Sequence, residues 1–442
     1  MTPPSRQQRW PRGPLNALHS VAAQGSVEGT IAVLSRGSID IDQGNPDGVT
    51  PLMAAALKGH SRIAGILLNR GANVSIATDE GHTALHLSAH YGHLAVTVEL
   101  VKAGADLEAR STDGATPVHA AAEEGHLHVM VVLIEAGANV DSRRGDGSTP
   151  LYLAAGNGHL AIVKELLRAN ANPLSVSSLV GSLDERAFVP LDMAARHGHA
   201  EVVRELIQQV GIESCGGGSG GVDALKAASV NQHVDVMAIL TCAGVVNTGE
   251  VLLMAVGCGR DAAVKFLLQQ RWQGPIVDYV NSCRNDGYTV LFRSIDVFTD
   301  EIGMPFLISP KVVRLLIDAG ADTSSVVRVT NGEAVFHGTP LAFTNLCLRT
   351  QQLRGGKAAT EEQMNRLEAV RRLLLRVEAV HAVSWLWITE PPLVGGAADV
   401  PSRKNTRKTP ASGTQLALML PMLRRRRRGV LLAPLFRYSS HP

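Results

Sequence analysis

Aromatic residues make up 4% of this 442-residue chain, and cysteine occurs five times, at Cys215, Cys242, Cys258, Cys283 and Cys347. The cysteines form no CxxC pair and are odd in number, which argues against both a disulfide framework and a thiolate metal knuckle. They read as reduced thiols of a cytosolic or nuclear protein. No apolar run approaches the ~18 residues that a membrane span needs. The longest, Leu416 to Leu423, ends at five arginines, and the chain reads as soluble. Also missing are a nucleophile signature, a kinase motif set and paired catalytic carboxylates in a recognisable context.

Charge of either sign is nearly balanced, at +2 overall, but it is unevenly placed. From His381 onward ten Arg or Lys face only Glu390 and Asp399, a surplus of +8 that leaves −6 on the remainder. A mildly acidic body therefore carries a basic tail. Arg6, Arg9 and Arg12, with no acid among them, resemble a transit peptide faintly, but ordered patterning begins by about Leu15 and leaves such a segment little room.

What the chain has in abundance is repetition. Thr50, Thr83, Thr116 and Thr149 stand 33 residues apart, and each opens a variant of one phrase, as in Thr50-Pro51-Leu52-Met53-Ala54-Ala55 and Thr116-Pro117-Val118-His119-Ala120-Ala121. A Gly-His pair follows each: Gly59-His60, Gly92-His93, Gly125-His126 and Gly158-His159. A fixed period of this length means stacked supersecondary units rather than one globular core. The unit from Asp113 to Asp141 shows how each works. Asp113-Gly114 is a turn, and Thr116-Pro117 starts a short helix as N-cap and first residue. Gly125 ends that helix, His126 to Ile134 forms a second, and Gly137-Ala138-Asn139 closes the unit. Two such short helices cannot bury their faces alone, so stacking must stabilise them.

These residues in this phase resemble the ankyrin-repeat family. The resemblance implies an all-α solenoid of helix-turn-helix units joined by hairpin-like fingers. The register runs outward from the four units. Asn16-Ala17-Leu18-His19 starts an N-terminal copy, and Val189-Pro190-Leu191-Asp192 starts a sixth unit after an insert, Ser175 to Ala187. Asp223 to Ala228 is a degraded copy, and weaker units lie around Val251 to Gln269 and Thr289 to Ala321, the second interrupted by Phe298 to Pro310. A last unit starts at Thr339 and takes Arg366 to Val377 as its second helix. That makes about ten units. The expected divisions are an N-terminal tail at 1–14, regular repeats at 15–210, divergent repeats at 211–380 and a basic tail at 381–442. The Gly-rich run 215–221 reads as a flexible loop; it has no preceding strand and no Lys-Ser/Thr end to make it a phosphate loop. The tail keeps no register, and its composition fits a disordered extension or, equally, a coding end read through an intron.

Nine of the sixteen histidines occupy repeat slots: His60, His93, His126, His159, His199 and His233 after Gly or Gln, and His19, His86 and His119 in the Thr-Pro-Leu-His position. The resemblance makes these structural, and successive copies fall too far apart to share a metal. His197-Gly198-His199 has no Cys or carboxylate partner at ligand spacing, so no metal and no cofactor are expected. The resemblance places partner contacts on the concave face, at the finger tips and just before each Gly-His. Those positions hold Leu57, Lys58, His90, Tyr91, Glu123, Glu124, Asn157, Arg196 and His197 on the helices. The tips hold Asp79, Glu80, His82, Thr112, Asp113, Asp146 and Ser148. An aromatic, both charges and an amide are the mixture an interface needs, with Tyr91 the natural anchor.

The expected function is a non-catalytic scaffold or adaptor that binds a protein partner, in the cytoplasm or nucleus, with no small-molecule substrate. Arg424 to Arg428, with Arg403-Lys404 and Arg407-Lys408, could serve nuclear import; with no interleaved aromatics, nucleic acid is a poor candidate. Two alternatives are a ubiquitin-ligase adaptor, suggested by Leu341 and Cys347 although their spacing exceeds the family's by two, and an enzyme hidden in the divergent half. A sheet between Val251 and Ile317 would favour the enzyme.

Overall fold

The computed structural model describes residues 17–36, 39–178, 187–212, 221–246, 249–270, 275–281, 289–295, 308–324, 326–331, 334–353 and 361–388. Residues 1–385 form one compact unit and 386–442 a second, of which only the end of one helix is described. Within the first unit helices pair as inner and outer members. The pairs are α1 Ala17–Gln24 with α2 Val27–Leu34, α3 Pro51–Lys58 with α4 Ser61–Asn69, and α5 Ala84–His90 with α6 Leu94–Lys102. α7 Pro117–Glu124 pairs with α8 Leu127–Glu135, α9 Pro150–Asn157 with α10 Leu160–Arg168, and α11 Pro190–His197 with α12 Ala200–Val210. The pattern continues through α13 Val222–Asn231 and α14 Val234–Cys242, then α15 Gly249–Gly257 and α16 Asp261–Gln269. After a short α17 (Ile276–Asn281) come α18 Val290–Ile295 with α19 Pro310–Asp318, and α20 Pro340–Leu353 with α21 Glu361–Ile388.

Why these short helices form is local chemistry. Thr50 Oγ1 accepts the Met53 N–H at 3.3 Å and Thr149 Oγ1 the Tyr152 N–H at 3.3 Å, while Pro51 and Pro150 supply a preset φ at the first turn. Stacking supplies the rest. The row Leu52, Leu85, Val118, Leu151, Leu191, Leu225, Leu252 and Leu291 is buried along the inner helices. The outer helices bury a matching trio in each unit, from Ile63, Ala64 and Leu67 to Val312, Val313 and Leu316. That trio persists where the inner motif fades, in Ala263, Val264 and Leu267 and again in Val312, Val313 and Leu316, and no strand falls among the described residues of 249–318.

The all-α solenoid expectation holds, and two of its hairpin-like fingers carry short strands. Two antiparallel hairpins, β1 Ser177–Ser178 with β2 Ala187–Phe188 and β3 Val327–Asn331 with β4 Ala334–Gly338, extend the sixth and last fingers. A finger is already extended backbone: Arg144 N donates to Ser148 O at 2.9 Å, so a longer finger can simply add ladder bonds. The last outer helix differs from expectation, running to Ile388 rather than stopping near Val377. The N-terminal tail, most of the Gly-rich run, the inserts at 179–186 and 296–307, and the basic tail beyond Ile388 lie outside the described residues.

Glycine in the Gly-His slot is required twice over. Gly158 has φ +79°, and a Cβ there would lie 2.5 Å from Nδ1 of His199 in the next unit. Gly158→Ala is therefore expected to cost about 2–3 kcal/mol, from left-handed strain plus displacement of the ring. A urea titration followed by circular dichroism reads it; a loss under 0.5 kcal/mol would contradict this account.

Candidate partner-binding face

The histidines set the geometry of this face. In six successive units the Gly-His ring reaches back to one carbonyl of the preceding inner helix. His60 Nε2 lies 3.2 Å from Ala23 O, His93 Nε2 3.0 Å from Leu57 O, and His126 Nε2 2.9 Å from His90 O. His159 Nε2 lies 3.0 Å from Glu123 O, His199 Nε2 2.9 Å from Gly156 O, and His233 Nε2 3.1 Å from Arg196 O. The Thr-Pro-Leu-His slot points the other way. His86 Nδ1 accepts the Thr83 N–H at 3.2 Å, which leaves Nε2–H to donate to Ala115 O at 3.1 Å in the next finger. His119 does the same with Thr116 N at 3.1 Å and Ser148 O at 3.2 Å. Burial pushes both imidazoles down to about 4, so they are neutral straps.

Four of the six carbonyls taken by the straps belong to residues expected to meet a partner. Leu57, His90, Glu123 and Arg196 thus have their backbones pinned by the following unit while their side chains vary. The next position in each unit carries Lys58, Tyr91, Glu124, Asn157 and His197, and of these Lys58, Glu124, Asn157 and His197 are exposed. Tyr91 is half-buried; its ring meets His90 edge-on at 4.7 Å and stacks on His93 at 6.3 Å. His90 Nδ1 lies 3.6 Å from Glu124 Oε1 across the unit boundary.

At the tips Asp79, Glu80, Thr112 and Asp113 are exposed, and Thr112 N donates to Glu80 O at 2.9 Å, so neighbouring fingers are tied backbone to backbone. Glu80 Oε2 lies 3.6 Å from Nε2 of His82, whose pKa burial lowers. Arg144, which the sequence reading passed over, organises the centre. Its guanidinium donates to Glu123 Oε2 at 3.1 Å and clasps the Asp113 carboxylate. Burial raises the Asp113 pKa, but bonds from Ser111 and Arg144 outweigh it and hold the group at about 2. Arg110 Nη1 is likewise engaged by Arg143 O at 2.8 Å. In the 33-residue register Arg110 aligns with Arg143 and Arg144 with Ser111, so the period gives no signal for Arg144 beyond its place in the finger, two residues before Asp146.

Ser148 is 1% exposed; its hydroxyl sits 3.0 Å from Ser177 Oγ and its carbonyl takes the His119 strap, so it helps to build the finger. Asp146 is half-exposed and accepts the Ser148 N–H at 2.8 Å. Arg196 is half-buried, 5.8 Å from the Phe188 ring centroid. Among the described residues no three of His, Cys, Asp and Glu converge to hold a metal, and no helix is long and apolar enough to cross a membrane.

Family models decide what this stack is. The model described as ankyrin repeats in three copies matches residues 18–111 and 97–177, and the single ankyrin-repeat model matches 188–215. The chain is an ankyrin-repeat protein. No curated protein matches it. Ankyrin repeats are protein–protein interaction modules and the family is typically non-catalytic. In this ankyrin array the motif histidines are spent on straps, which frees the intervening positions to vary.

Proposed function

We propose that this ankyrin array is a scaffold or adaptor that holds a protein partner against its concave face and finger tips. One observation carries the reading: side chains outside the repeat motif project at the same position of successive units, from backbones fixed by the straps of the following unit. A rigid row of this kind loses little conformational entropy on binding. Lys58, Tyr91, Glu124, Asn157 and His197 form the row, with Asp79, Glu80 and Thr112 at its edge. Asp113 and Glu123, both held by Arg144, act as its fixed centre. Leu341 and Cys347, the residues that suggested a ligase box, lie on α20 against the array core, with Cys347 fully buried. They are taken up by the stack, so the ligase-adaptor reading gains no support.

The test is affinity capture with the full chain beside a variant carrying Glu80→Arg, Glu124→Lys and His197→Glu, both checked by circular dichroism. A partner retained by the parent and reduced at least about tenfold by the variant supports the face, since tenfold is about 1.4 kcal/mol and the loss of a single dominant contact suffices for it. Equal capture by the two folded proteins would move the site elsewhere.

A further inference from the structure

The straps described above tie six consecutive junctions, and the seventh is built differently. Where His233 stands in its unit, the next unit has Arg260. The backbone is the same: Arg260 has φ −87° and ψ 82° against −80° and 76° for His233, and its N–H reaches Ala255 O at 2.9 Å as His233 reaches Ala228 O at 3.0 Å. The side chain does not take over the strap, because its buried Nε finds no hydrogen-bond partner. One residue earlier in the chain of dependence, Gln232 replaces the glycine and adopts φ +64°. At Gly198 a Cβ would meet His233 Nδ1 at 2.5 Å. With no histidine in the following unit that prohibition lapses at Gln232, so the two departures belong together.

An ion pair replaces the neutral bonds. Lys226 occupies the slot that holds His119 three units earlier and His86 four units earlier, and its Nζ reaches Glu250 Oε2 in the next unit at 2.9 Å and Asp223 Oδ1 at 3.4 Å. The Glu250 side chain is 74% exposed, so solvent ions reach this contact. Apolar packing continues across the junction through Leu225, Ala228, Val251, Leu252 and Ala255, all fully buried, which keeps the closed state the resting one.

We propose that the junction between α13–α14 and α15–α16 is an ionic latch, at which the C-terminal units open independently of the strapped N-terminal seven. Opening energies in a solenoid are sums over neighbouring interfaces, so the interface that has lost its straps is where the array parts. Salt screens the latch and leaves the neutral histidine straps untouched.

Hydrogen–deuterium exchange of the full chain at 50 and 500 mM NaCl tests this, with amides of 117–135 as the internal control. Amides of 251–268 are expected to exchange about tenfold faster than the control at low salt, and severalfold faster again at high salt while the control holds steady. Lys226→Met should reproduce the fast rate at low salt and abolish the salt response. The double change Gln232→Gly with Arg260→His restores the missing strap and should slow 251–268 toward the control. Equal exchange in the two regions, or a salt response that survives in Lys226→Met, overturns the latch. A Lys226→Met protein that unfolds throughout would lose protection in 117–135 too, and the salt comparison on the parent then decides.

Discussion

Asp192→Asn is expected to stabilise the array by about 2 kcal/mol at pH 7.5 and to have almost no effect at pH 5. Asp192 sits in the slot that other units fill with a strapping histidine, and it is 4% exposed. One carboxylate oxygen accepts the Val189 N–H at 3.1 Å, as His86 Nδ1 accepts Thr83 N, but the other oxygen has no partner. Burial, together with the neighbouring charge of Asp223, raises its pKa to about 7 against the bond from Val189. An aspartate raised in the folded state holds its proton there and loses it in the unfolded chain, so folding is favoured at low pH and weakens as pH climbs from ~4 toward 7. The full span of about three units amounts to roughly 4 kcal/mol. Asparagine keeps the acceptor for Val189 and removes the charge; leaving its amide without a partner returns about half the gain. Urea titrations at the two pH values read the difference, and a variant equally stable or weaker at pH 7.5 would show that the carboxylate is better satisfied than this geometry allows.

The regular half of the fold was legible because each motif residue does one geometric job. Thr83, His86 and Gly92 recur since the cap, the strap and the close approach of the next ring admit few alternatives. In the divergent half the jobs are done by other chemistry. Val256 and Ile295 stand where Ala56 and Ala122 stand earlier, and Lys226 bonds where His119 does. The period weakened there while the outer trio, such as Ala263, Val264 and Leu267, carried the stack on. The expected face was legible by position but not by engagement. Nothing in the sequence says that Arg144 is already bound to Asp113 and Glu123, or that Ser148 is turned inward against Ser177. Those facts depend on contacts between residues about 20 to 30 positions apart in adjoining units. A second ladder was also invisible: Glu108 Oε1 takes the Asn139 N–H at 2.7 Å and Asp141 Oδ1 the Asn172 N–H at 2.8 Å, tying the closing turns behind the fingers.

Acid should act on the third and fourth units in the sense opposite to its action on the sixth. His86 and His119 accept a backbone N–H on Nδ1 and donate from Nε2, so protonating either ring destroys the cap bond and charges a buried site. Burial is the main cause of their depressed pKa, at about 4 each against 6.5 in an unfolded chain. For a histidine lowered in the fold, stability is complete above 6.5 and falls as pH drops from there toward 4. At pH 5 each ring costs about 2 kcal/mol, so the pair removes about 4 kcal/mol relative to pH 7.5. Over the same interval Asp192 regains its proton and strengthens its own unit, against the smaller opposite pull of His197 and His199, whose pKa values burial lowers. Hydrogen exchange corrected for intrinsic rate should therefore show protection falling in 84–135 and rising in 190–207 as pH goes from 7.5 to 5. His86→Gln with His119→Gln should flatten the first response and leave the second. A uniform change along the array would mean that the titration belongs to the stack as a whole rather than to these two rings and one carboxylate.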